Sequence, residues 1–157
     1  MTLTSGFFAN AVLVVAAIIL LLVAIENLRE LKIRNASIVA LICLFALYVA
    51  LAGEWREAWR NLMLAIVAFI ILLPFYRPLG WFGGGLLKLL TVGFLWSGER
   101  YAISFIVLAL IFCGLSYLLA RLGLLRVHHQ GEATYLAFGA PIAVALIAIF
   151  IMRWTGY

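Results

Sequence analysis

"GWFGGGLLKLL", Gly80–Leu90, is the stretch on which the reading of the fold turns. Three consecutive glycines, Gly83, Gly84 and Gly85, stand between two apolar runs, and a single lysine, Lys88, follows among leucines. Just upstream, "LLPFYRPLGWF" carries Pro74 and Pro78, which end the helix leading in. An apolar helix does not continue through such a stretch. It is a turn between two membrane segments, in which the glycines let helices approach closely and Lys88 extends its amine towards lipid headgroups.

Working outward, apolar runs fall at about 8–25, 37–53, 61–76, 86–97, 102–120 and 135–152. At about 1.5 Å per residue most are long enough to span a bilayer, and the fourth is short. The 157 residues are 68% hydrophobic and 11% charged, with mean hydropathy +1.24, more apolar surface than a soluble domain of this size can bury. The runs are unbroken and do not alternate with polar residues, which excludes barrel strands. The expected fold is an all-α integral membrane protein, a bundle of about six transmembrane helices with short loops, forming a single domain over 1–157. "MTLTSGFFAN" lacks a basic region and a cleavage site, so the first run reads as a retained helix.

The net charge of +5 is spread singly or in small groups between apolar runs, with no basic stripe for nucleic acid. Its use is topological. Arg29, Lys32, Arg34, Arg77, Lys88, Arg121 and Arg126 fall in one set of loops, and Arg56, Arg60, Arg100 and Arg153 in the other. Seven against four places the first set in the cytoplasm and both termini outside. Within "EWREAWR", residues 54–60, Trp55 and Trp59 share one helical face, as in a short amphipathic turn with its indoles at headgroup level. Cys43 and Cys113 lie in apolar runs and read as small lipid- or core-facing residues, not as a disulfide.

The first polar segment, "ENLRELKIRNASIVAL", residues 26–41, mixes both charge signs from Glu26 to Arg34. Alone it reads as an exposed helical extension with local ion pairs. Paired with the glycine stretch it resembles the type IV prepilin leader peptidases, membrane aspartic endopeptidases, and in particular their short tight-adherence (Flp-pilus) branch without the methyltransferase domain. That family carries one aspartate in an Asp-Leu-(four residues)-Ile-Pro-Asn pattern and a second in Gly-x-Gly-Asp-(apolar)-Lys-Leu. Here the first pattern reads Asn27-Leu28-Arg29-Glu30-Leu31-Lys32-Ile33-Arg34-Asn35, and the second Gly83-Gly84-Gly85-Leu86-Leu87-Lys88-Leu89-Leu90. "LWSGER" and "YLAFGAPIAVAL", with Gly139 and Pro141, resemble later stretches of the same family.

The resemblance implies a multi-pass protein of the bacterial or archaeal cytoplasmic membrane, with its site loops facing the cytoplasm. A prepilin-like substrate or an active peptidase is the implied partner, besides the lipid bilayer. No cofactor is implied and no metal is assigned. In the family, one ionised carboxylate takes a proton from water while a protonated one polarises the scissile carbonyl. Asn27 and Leu86 stand at the two aspartate positions, and Arg34 at the proline. An amide is no useful base near neutral pH, and leucine has no polar group at all. Loss of one positioned acid or base costs about 10²–10⁴-fold, so the expectation is a catalytically impaired pseudoenzyme of type IV or Flp pilus biogenesis.

Two other readings stay open. Proteolysis could continue with displaced acids, Glu26 beside Asn27, or Glu132 in the loop with His128 and His129. On composition these are ordinary residues of a membrane surface, and adjacent histidines lack the i, i+4 spacing of a helical metal site. The chain could also be a small membrane scaffold or transporter with a purely structural glycine loop, although no buried mid-helix charges mark a transport path.

Overall fold

A computed structural model describes residues 3–76, 84–122, 128–130, 133–135 and 137–155. Five α-helices carry the fold: α1 Leu3–Glu30, α2 Asn35–Ala52, α3 Trp55–Leu72, α4 Gly84–Arg121 and α5 Gly139–Thr155. A 3₁₀ turn, Leu73–Tyr76, follows α3 and contains Pro74, while Pro78 lies outside the described residues. Two short strands, β1 His128–Gln130 and β2 Ala133–Tyr135, pair antiparallel before α5 where the sequence suggested only a loop. Among the described residues three helices are long and apolar enough to cross a membrane: α1 from Phe8, α2 and α4. Side chains such as Ile70, Ile103 and Leu110 are largely exposed, as suits a surface that faces lipid.

The sequence counts about six spans, and the described residues form five α-helices. The difference lies in α4. Thirty-eight residues of straight helix would extend about 57 Å, nearly twice the hydrocarbon thickness of about 30 Å. Instead the backbone leaves helical geometry at Gly98, with φ 62° and ψ −173°. The Phe94 and Phe105 rings then meet edge to face with centroids 5.5 Å apart, and Phe105 lies on the face of Gly93. Residues that far apart in a straight helix cannot touch, so limbs 84–97 and 99–121 run back along each other. Only glycine tolerates this φ/ψ region, and a Cβ at Gly98 would also sit 2.5 Å from Asn61 Oδ1.

Two further boundaries differ from the sequence reading. The 54–60 stretch is no separate turn but the opening of α3, whose indoles at Trp55 and Trp59 stay exposed. The expected helical extension to Arg34 stops at Glu30, where Leu31 takes a left-handed conformation with φ 54°. Its N–H closes onto Asn27 O at 3.0 Å, one of the ways a helix end satisfies its last carbonyls.

The core sits between α1, α2, α5 and the first limb of α4. Along α1 the buried residues Ala9, Val12, Ala16, Leu20, Val23 and Asn27 recur at helical spacing and form one stripe. Trp96 is fully buried at the centre, packed against Phe45, Tyr48 and Phe150 with centroids 5.1–5.9 Å away. Its indole N–H donates to Leu41 O at 3.1 Å, so a bulky ring is held without a stranded donor. Cys43 is exposed and Cys113 half-buried, and both are free thiols.

The break at Gly98 makes a test. Gly98→Ala should destabilise the protein by about 1–3 kcal/mol, seen as a lower melting temperature in detergent. Gly114→Ala, at a helical site with open space around it, should leave the melting temperature unchanged or raise it.

Candidate functional site

Four chain segments meet at one end of the bundle: the end of α1, the 31–34 link, the start of α4 and the start of α5. The link places Ile33 between them. A Cβ at Gly85 would lie 2.9 Å from Ile33 Cβ, and a Cβ at Gly139 would lie 2.8 Å from Ile33 Cδ1. The glycines at both helix starts therefore leave room for one side chain. Gly84 and Gly85 are the first two residues of α4, so the described part of the glycine run serves close approach to the link.

Asn27 is 5% exposed and lies beside Ile33 against the same face of Gly139, where a Cβ would come within 2.8 Å of its Cγ. Its Oδ1 accepts the backbone N–H of Ala140 at 3.1 Å. The first N–H groups of a helix have no intrahelical acceptor, so Asn27 serves α5 as a cap supplied from another helix. Pro141, in the same first turn of α5, has no N–H that needs a partner.

Leu86 is buried in the apolar core beside Gly85. Two residues on, Lys88 is exposed, and its Nζ donates to Asn35 Oδ1 at 2.8 Å, tying the start of α4 to the start of α2. Arg34 adopts φ −72° and ψ 134°, an extended conformation within the range that proline fixes. Its Nε lies 3.5 Å from Glu26 Oε1. The other carboxylate oxygen, Glu26 Oε2, is buried and has no hydrogen-bond partner among the described residues.

Of the residues singled out in the sequence, Glu26, Asn27, Asn35, Gly85, Leu86 and Lys88 thus fall at the same end of the bundle. Lys88 and Asn35 touch directly. Gly83 and Glu132 lie outside the described residues, and His128 and His129 are described only as backbone of β1. No group of three or more His, Cys, Asp or Glu side chains that could hold a metal occurs among the described residues. Sequence reasoning missed Ile33 and the Ala140 N–H. Ile33 is an apolar residue in a charged segment, and the only signal for Ala140 was its place in the small-residue run "GAP".

The arrangement defines a helical membrane protein whose buried polar junction joins the starts of two helices to the end of a third. Chemically, the junction offers a carboxamide committed to a helix terminus, a leucine, and a carboxylate committed in part to an arginine. The model of the type IV leader peptidase family matches residues 14–119, well over half of the chain, and the chain belongs to that family. The match takes in Asn27, the link and the start of α4, and ends before α5. Comparison with curated proteins and with solved structures returned no match.

Replacing Asn27 separates its acceptor from its size. Asn27→Ala leaves the Ala140 N–H only its longer bond to Ala137 O, at 3.3 Å, and opens space at the junction, and it should destabilise by about 1–3 kcal/mol in thermal unfolding. Asn27→Asp keeps an oxygen acceptor and should lose much less at neutral pH.

Proposed function

We propose that this prepilin-peptidase-like protein has lost most or all aspartic endopeptidase activity and works in type IV or Flp pilus biogenesis, as a partner of an active peptidase or in handling prepilins. One observation carries this reading. Of the two positions that match the family's aspartates, one is a carboxamide bound to the Ala140 N–H and the other a leucine in the apolar core. Neither moves a proton, and the mechanism needs both. On this reading the chain crosses the cytoplasmic membrane about six times, the two limbs of α4 counting separately, with the Asn27 end facing the cytoplasm.

A second reading keeps an active endopeptidase with Glu26 as a displaced acid. It draws on the buried, unpartnered Oε2 beside Asn27. Against it, Oε1 is held by Arg34, and no second carboxylate stands at position 86.

Co-expression with prepilins, scored by the mobility shift of leader removal, separates the two. The natural chain should leave prepilins uncut where an intact family member cuts them. Asn27→Asp combined with Leu86→Asp should restore detectable cleavage, and either change alone should not. Cleavage by the natural chain that disappears in Glu26→Gln would establish the second reading instead.

Orientation has its own test. In a background with Cys43 and Cys113 replaced by alanine, cysteines at the exposed positions Ala36 and Glu99 should label from opposite faces, Ala36 from the cytoplasm. Labelling of both from one face would remove the proposed topology.

A further inference from the structure

The bundle has a second polar end, remote from Asn27. A cavity of about 560 Å³ opens there, where the ends of α2 and α5 meet the start of α3 and the Gly98 break. Its charges balance, with Glu54, Glu57 and Glu99 against Arg60, Arg100 and Arg153. Most are engaged internally. Arg153 lies 3.6 Å from Glu54 and stacks 4.8 Å above the Tyr48 ring. Arg60 holds Glu99 at 3.2 Å and reaches Glu57 only at 4.0 Å, the outer limit of an ion pair. Arg100 sits over the Tyr101 ring at 5.2 Å and meets no carboxylate among the described residues. Arg100 is thus the guanidinium with no carboxylate among the described residues, and Glu57 the carboxylate held only at the 4.0 Å limit.

An apolar groove of about 310 Å³ between α1 and α5 opens into this cavity, sharing Asn10, Leu13 and Trp154 with it, and reaches Leu21. From Asn10 to Leu21 a helix rises about 16 Å, roughly the depth of one leaflet's hydrocarbon. Trp55, Trp59 and Trp154 are exposed at this end, and exposed indoles mark the headgroup level of a bilayer. A charged cleft at headgroup level thus continues into an apolar groove one leaflet deep.

We propose that this end binds one molecule of a zwitterionic aminophospholipid, the phosphatidylethanolamine class. Its phosphate meets Arg100, its ammonium meets Glu57, and one acyl chain lies in the α1–α5 groove. A guanidinium offers paired N–H donors to phosphate oxygens, and a primary ammonium donates to a carboxylate. Phosphatidylglycerol carries the same phosphodiester for Arg100 but ends in a neutral glycerol, so it gives Glu57 no cation and leaves a net negative charge in a cleft whose own charges already balance. This site is independent of the Asn27 end and of the function proposed for it.

The test uses the full-length chain purified in detergent and titrated, under native mass spectrometry, with phosphatidylethanolamine or phosphatidylglycerol of identical acyl chains. One phosphatidylethanolamine should be retained per protein, about tenfold more tightly than phosphatidylglycerol. Glu57→Gln should abolish the preference and Arg100→Gln should weaken both lipids, while Arg56→Gln, exposed on α3 outside the cleft, should change neither. Equal retention of the two lipids, or a preference for phosphatidylglycerol, overturns the proposal. So does a lipid-free dimer cross-linked through Ile18 and Ile151, which would give the groove to a second copy. If a variant loses its helical circular dichroism, the comparison of the two lipids on the natural chain decides alone.

Discussion

A helix that begins inside a membrane protein exposes N–H groups to surroundings that offer them little water, and the start of α5 is such a place. The Asn27 carboxamide supplies an acceptor from α1, and the rest of the junction follows from that requirement. For the bond to form, α1 and α5 must approach so closely that residue 139 has no room for a Cβ. Ile33 then fills the remaining space and, through its contact with Gly85, draws in the start of α4. Lys88 and Asn35 close the outer rim. A polar group kept in such a position rigidifies the site when satisfied and destabilises it when it is not.

That requirement also bears on why position 27 is polar and position 86 is not. An asparagine can replace an aspartate and still accept the Ala140 N–H, whereas an apolar residue could not. Position 86 makes no comparable demand. It lies in the core cluster, where a leucine packs and needs no partner. The two positions hold different residue types because one serves a helix terminus and the other fills space.

Much of this was legible in the sequence. The apolar runs mark the helical stretches, and the two polar motifs point to Asn27, Asn35, Gly85, Leu86 and Lys88, which the fold gathers at one end. Less legible were features whose cause lies elsewhere in the chain. Leu31 ends α1 in a left-handed turn that glycine usually makes, so residues 31–34 look helical in charge pattern and are not. The start of α3 at Trp55 blends a polar amphipathic turn into an apolar run, which hides the boundary. The Glu26–Arg34 pair forms across the 31–34 link, and the balanced cleft at the far end gathers residues from five helical stretches. No local pattern announces either.

The one-residue reversal at Gly98 bears on the order in which the chain assembles. Two limbs joined by so short a connection lose little chain entropy on meeting, and contacts such as Phe94 with Phe105 are local in sequence. The limbs are placed to pair as a helical hairpin early, before distant segments have found one another. The bond from Asn27 to Ala140 spans 113 of the chain's 157 residues and needs α1, the 31–34 link and α5 all in position. Its closure costs more chain entropy than that of the Phe94–Phe105 contact. A change at Gly98 therefore acts on contacts between neighbours in sequence, while one at Asn27 acts on a contact that only the folded bundle brings together.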